Sequence, residues 1–216
     1  MTLRAGFIFA RVGSNSAKFD GKFDERFKFA VRSISKFESK TPTYHQISEL
    51  TMKNKPKILI SACLLGENCK YNGGNNADAI PADALDKLDQ IYELVAVCPE
   101  YLGGLTTPRE PAEICASGRV ITKFSGRDVT REFLSGAQIC ADVARENGCK
   151  IAVLKERSPS CGSGEIYDGS FTGRIVSGDG ITAAALKKLG VRIVGESALL
   201  ELNLEKEAEN GRVDKH

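Results

Sequence analysis

Histidine is almost missing from this sequence: His45 and the last residue, His216, are the only two in 216 residues. One lies in the leader and the other at the last residue, which argues against imidazole acid–base chemistry and a histidine-bearing zinc site. No C-x-x-C pair occurs among the seven cysteines. That removes the closed ligand pairs of structural zinc, the redox dithiol and the clustered cysteine run of ferredoxins. No stretch approaches the roughly 18 consecutive apolar residues of a membrane span. A secretory signal with a clean apolar core is also missing. A cytoplasmic protein with no membrane partner is therefore expected. The net charge of +2 lacks the basic excess that long nucleic acid calls for, so none is expected as a partner.

What is present is unevenly spread. Residues 1–51 hold nine Lys and Arg against five Asp and Glu, a balance of +4, and seven of the ten Phe. Residues 52–216 keep twenty-one basic and twenty-three acidic residues, a balance of −2, with all seven Cys. The composition changes near Met52, and Met52-Lys53-Asn54-Lys55 reads as the start of a catalytic domain. Residues 1–51 are expected to be an N-terminal extension, either disordered or no part of the native domain. Phe23, Phe27, Val31 and Ile34 recur there at helical spacing, but Asp20, Asp24 and Glu25 argue against organelle targeting. Residues 52–202 form the expected single catalytic domain, and 203–216 a charged tail.

From Lys57 onward, short apolar runs alternate with helical patterns. Residues 58–62, 94–97, 151–154 and 191–194 read as buried strands. Residues 81–90 and about 130–147 read as helices; Pro81 suits the first turn of one and Gly148 the end of the other. Asp128 or Thr130 is the expected cap, with Phe133, Ala137, Cys140 and Ala144 on the buried face. A third helix, 181–189, follows Gly178-Asp179-Gly180 and is closed by Gly190. Residues 101–119 read as a long functional loop, because Pro108 and Pro111 prevent a helix interior, and 120–124 as a small strand. The alternation predicts an α/β fold: a Rossmann-like, three-layer domain with a mainly parallel sheet.

Three strand ends then carry cysteine: Cys63, Cys98 and Cys161. In a parallel sheet these ends share the edge where ligands bind, so residues nearly a hundred positions apart converge. An odd cysteine count in a chain of this length disfavours a disulfide framework. Three readings fit the dispersed thiols: a cubane cluster with one iron lacking a protein ligand, a three-cysteine zinc site completed by water, or plain packing.

Four strings carry a more specific message: Ile60-Ser61-Ala62-Cys63-Leu64-Leu65-Gly66, Val97-Cys98-Pro99-Glu100, Pro108-Arg109-Glu110-Pro111-Ala112-Glu113-Ile114 and Arg157-Ser158-Pro159-Ser160-Cys161-Gly162. In this order, over about residues 55–196, the chain resembles the TudS-type thiouracil desulfurases. The resemblance implies a 4Fe-4S cluster held by Cys63, Cys98 and Cys161, with the substrate's thiocarbonyl sulfur bound to the open iron. It implies non-redox hydrolysis of a thiolated base or nucleotide: 2- or 4-thiouracil, or 4-thiouridine monophosphate to UMP plus sulfide. Glu100 is the implied proton-handling carboxylate, Ser158 the hydrogen-bonding hydroxyl, and Arg109, Arg157 and Ser160 the substrate-binding residues. A contrasting reading keeps a cluster- or zinc-binding sensor or structural protein without turnover. In that reading Glu100 merely pairs with Arg109 or Arg157.

The remaining features are weighed against blander roles. Cys69, six residues after Cys63, is left out of the ligand set. Cys140 and Cys149 read as packed, and Cys115 as packed rather than lining the site. Lys155, or the helix start after Gly180, is a candidate for a substrate phosphate. The lysine and Ser/Thr signature of a phosphate-binding P-loop is missing there. A monomer or a homodimer is expected.

Overall fold

The computed structural model describes residues 55–199. The N-terminal extension (1–51), the charged tail (203–216) and the expected limits of the catalytic domain at 52 and 202 lie outside the described residues.

The central sheet is built from β1 (Lys57–Ser61), β2 (Glu93–Val97), β5 (Ile151–Leu154) and β8 (Arg192–Gly195), in the order β2-β1-β5-β8. All three pairings are parallel, with Ser61 opposite Val97 and Ile60 opposite Val153. Strand alternation then sorts the core into two layers. Ile58, Ile60, Leu94, Val153 and Val194 face one side, where Ala84 and Leu88 of helix α1 (Ala82–Ile91) pack on them. Leu59, Val95, Val97, Ala152 and Leu154 face the other. There they meet Cys140, Val143 and Ala144 of helix α3 (Thr130–Glu146), and Ala183 and Leu186 of helix α4 (Ile181–Lys188). Each fully buried aliphatic side chain contributes about 1.5–3 kcal/mol. Both faces are covered, as a parallel sheet requires, and the result is the expected three-layer α/β domain. No described helix is long and apolar enough to cross a membrane.

Several local expectations change. The last strand begins one residue later than its apolar run, at Arg192. The presumed loop 101–119 is partly structured. Helix α2 (Pro99–Leu102) follows Cys98 directly, with Pro99 at its first turn. Strand β3 (Ala112–Ile114) then pairs antiparallel with β4 (Val120–Thr122). A second ribbon, β6 (Glu165–Tyr167) with β7 (Ile175–Ser177), was not anticipated. At the start of α3, Asp128 Oδ1 accepts the Thr130 amide at 3.0 Å. The Thr130 hydroxyl instead accepts from Val120 N at 2.9 Å, tying the helix to the β3–β4 ribbon. The cap position itself is held by Val129 with no side-chain cap bond, so neither expected residue caps the helix.

Gly136 fixes where α2 lies. It occupies the interior of α3, where glycine is unfavourable. A Cβ there would run into the carbonyl oxygen of Pro99, and one on Gly103 would meet the Glu132 carbonyl of α3. These reciprocal glycines let the α2 backbone rest directly on α3, and α2 carries Glu100. Gly136→Ala should therefore destabilise the fold by about 1–3 kcal/mol through overpacking, despite alanine's better helix propensity. A lowered urea midpoint checks this; a raised one would mean that the contact yields without cost.

Candidate functional site

In the strand order β2-β1-β5-β8, chain direction across the sheet reverses between β1 and β5, so a crevice opens beyond their carboxyl ends. A cavity of about 520 Å³ lies there. Its walls include Cys63, Cys69, Cys98 and Cys161, together with Glu100, Arg109, Lys155, Arg157 and Ser158.

Each cysteine arrives differently. Cys63 lies two residues past β1 in a short 3-10 turn ended by Gly66, whose φ of 90° suits glycine. Its carbonyl accepts the Asn76 amide at 2.8 Å, and Asn76 Nδ2 donates to its sulfur at 3.3 Å. Cys98 sits between the end of β2 and Pro99. Cys161 is not at the tip of β5: the segment 155–160 leaves the sheet and folds back, seating Cys161 beside β1, where its sulfur lies next to Ser61. The Ser61 hydroxyl accepts the Lys155 amide at 3.0 Å, so the side chain next to Cys161 also ties down the start of that return.

The helix that follows locks the return. The α4 amides of Ile181, Thr182 and Ala183 donate to the carbonyls of Pro159 and Ser160. A Cβ on Gly180 would strike Ser160 O at 2.5 Å. This overturns the expectation of a phosphate at the start of α4: the amides a helix leaves open there are already satisfied by the cysteine loop. Ser160 is corrected as well. It is 1% exposed, does not line the cavity, and its hydroxyl has no partner among the described residues. With its carbonyl bound to α4, its side chain is held inside the protein rather than at a ligand.

Ser158 keeps its expected place on the wall. Its oxygen accepts the amides of Ser160 and Cys161, each at 3.1 Å. Both lone pairs are then used, so what the hydroxyl has left to offer is its proton.

Glu100 pairs with Arg109, as the contrasting reading of the sequence anticipated. Arg109 Nε donates to Glu100 Oε2 at 2.8 Å, and Nη2 bonds to the same oxygen. The second oxygen, Oε1, has no partner among the described residues, and Glu100 lines the cavity. Arg109 differs from expectation. Its remaining donors go to Thr106 O, Thr107 Oγ1 and Cys69 O. It acts as a strut between α2, the Thr106–Pro108 turn and the cysteine loop, with no N–H left for a substrate. Lys155 is likewise committed, to Glu196 and Glu156 O. Arg157 is freer, touching Glu165 only at 3.8 Å with both side chains at least half exposed.

Cys69, left out on sequence grounds, belongs to the site. Its carbonyl accepts from Arg109 Nη2 at 3.1 Å and from the Cys98 thiol at 3.8 Å, and its own thiol lies beside the Cys63 and Cys98 sulfurs. The neighbouring Cys69 thiol lowers the Cys63 thiol to about 7, with Asn76 and Lys155 assisting and burial opposing. The same donor lowers Cys98, helped by the Tyr101 amide and Arg109. Sharing its proton raises Cys69, and burial pushes Cys161 well up. Cys140 and Cys149 are buried as expected; Cys115 lies outside the cavity wall, its thiol donating to Arg119 O at 2.9 Å.

All seven cysteines are free thiols. A wall of sulfur donors suits iron–sulfur chemistry and not hard cations such as magnesium. Among the described residues, no three His, Cys, Asp or Glu side chains are grouped tightly enough for a single metal ion. Thiols spread around a cavity instead fit a cluster, whose ligands attach to separate irons.

Comparison with known proteins agrees with this arrangement. Residues 58–198 match the family model described as 2-thiouracil desulfurase. A Bacillus subtilis (strain 168) protein, "Uncharacterized protein YbbK", is 42% identical over 154 residues, covering 67% of this chain and 99% of its own. A solved structure titled [4Fe-4S]-dependent thiouracil desulfidase TudS is 44% identical, with a TM-score of 0.65 over 71% of this chain and 99% of that one. With a family model spanning most of its length, a near-full-length relative and a shared fold, the chain belongs to the 2-thiouracil desulfurase family.

Proposed function

We propose that this enzyme hydrolyses the carbon–sulfur bond of thiolated pyrimidines without net redox change. Thiocarbonyl and water become carbonyl and hydrogen sulfide. The observation that carries the reading is the joining of Cys63, Cys98 and Cys161, from three separate loops, with Glu100 and Ser158 on one cavity. These three cysteines are the proposed ligands of a 4Fe-4S cluster, with one iron left for the substrate. Such a cluster supplies a Lewis acid soft enough for a thiocarbonyl sulfur.

The chain's own groups do the rest. Glu100 Oε1 takes the proton of the attacking water, while Arg109 holds Oε2 and so fixes the carboxylate's orientation. Ser158 donates its hydroxyl proton to an acceptor on the pyrimidine. Asn76 and Cys69 hold Cys63 ready as a thiolate.

A small-molecule partner suits a cavity of about 520 Å³. Lys70, Lys123 and Arg157 line it as cations not spent on a close carboxylate, which favours 4-thiouridine monophosphate over the free bases. The test is anaerobic reconstitution followed by sulfide release from 4-thiouridine monophosphate and 2-thiouracil. Cluster-loaded protein that releases no sulfide from either would defeat the reading and leave a sensor. Purified protein holding zinc and no iron would defeat the cluster itself.

A further inference from the structure

Two described residues other than glycine adopt the left-handed backbone, Arg157 at φ 59° and Phe171 at φ 57°, and both line the same cavity. For a bulky aromatic residue this conformation is costly and persists only where its surroundings impose it. They do so at Phe171. Glu113, on β3, accepts the amides of Gly169 and Phe171 through one oxygen, each at 3.0 Å. Asp168 Oδ1 turns the intervening residue by accepting Ser170 N at 2.9 Å. Gly169 lies so close to the β3–β4 ribbon that a Cβ would meet Cys115 Cα at 2.5 Å and Ile114 O at 2.7 Å. The tip of the β6–β7 hairpin is thus bolted to a second ribbon by a carboxylate and a glycine contact.

This construction gains no core packing from the ring. Phe171 belongs to none of the three apolar clusters and stays half-buried, as does Tyr167, the other aromatic of the hairpin on the cavity wall. An aromatic side chain held rigidly, at a cost in backbone strain, with surface left toward a ligand cavity has the properties of a stacking platform. Stacking is tolerant of ring substituents but demands a flat partner.

We propose that Phe171 stacks on the pyrimidine ring and selects planar substrates, with Glu113 as its positioning residue. This rests on the desulfuration reading above. The experiment compares equilibrium binding of uracil and 5,6-dihydrouracil, which share hydrogen-bonding edges but differ in flatness, to cluster-loaded protein. Wild type is expected to prefer uracil. Phe171→Leu should weaken uracil binding by about tenfold or more, the lower range for one stacked base. It should leave dihydrouracil binding within about twofold and so erase the preference.

Phe171→Tyr should restore the preference. Glu113→Ala, which removes the acceptor of both amides, should raise KM for 2-thiouracil with little change in kcat, a split that general loosening of the fold does not produce. Equal uracil affinity in wild type and Phe171→Leu, at equal iron and labile-sulfide content, would overturn the stacking role alone. An absence of iron in wild type would instead overturn the reading beneath it. If Phe171→Leu does not fold, the Tyr and Ala variants decide: loss of preference in Phe171→Tyr, or an unchanged KM in Glu113→Ala, overturns the proposal.

Discussion

Cys161→Ala is expected to abolish the cluster and sulfide release together. Iron should fall from about four per chain to near zero, and activity by at least about 10³-fold, since losing the metal removes the Lewis acid outright. The reason is geometric. Cys63 and Cys98 each have a further thiol, Cys69, beside their sulfur, whereas the Cys161 sulfur has Ser61 beside it. Cys161 is therefore the proposed ligand with no spare thiol at hand. Cys63→Ala and Cys98→Ala are expected to lose iron too, and Cys69→Ser to retain it. Iron and labile-sulfide analysis, with circular dichroism to confirm folding, checks the series. Iron loss in Cys69→Ser with retention in Cys161→Ala would exchange the two cysteines in the ligand set.

Glu100→Gln is the second large effect. The amide oxygen still accepts from Arg109, so geometry is kept while the proposed base is removed. kcat should fall about 10²–10⁴-fold, the usual worth of a positioned acid–base group, with cluster content unchanged. The variant also leaves the Arg109 charge, whose side chain is 9% exposed, without its carboxylate. A stability loss on the order of 1–3 kcal/mol should accompany the loss of rate. Full activity in Glu100→Gln would return Glu100 to the purely structural pairing that its bond to Arg109 already provides.

The spacing of apolar runs carried most of the architecture. Residues 58–60 and 151–154 sit in strands because both sheet faces are covered, so continuous hydrophobicity is itself the signal. The face of α3 marked by Phe133, Ala137, Cys140 and Ala144 is buried as its period requires. What escaped were elements whose stability is not periodic. β3, β6 and β7 are each three residues long, too short for a pattern. They are held by Glu113, by glycine contacts and by one another. The glycines at 164, 169, 173 and 178 that punctuate the second ribbon were the available sign of a hairpin.

For the site, the sequence by itself determined which residues end strands and, through four motif strings, which family's chemistry to expect. Cys63, Cys98, Glu100, Arg157 and Ser158 reach the cavity because a parallel sheet gathers strand ends onto one edge, whatever their separation along the chain, whereas Cys161 arrives only because its loop folds back beside β1. Only the tertiary structure decided how side chains were spent there. Arg109 is consumed by Glu100 and three other acceptors, and Ser160 is turned inward by α4. Cys69 is folded back between two other thiols by a loop whose path no local pattern encodes. Hydrogen-bond partners depend on angstrom-scale placement, which motif order does not specify. The sequence could therefore nominate the donors but not say which of them still had a hand free.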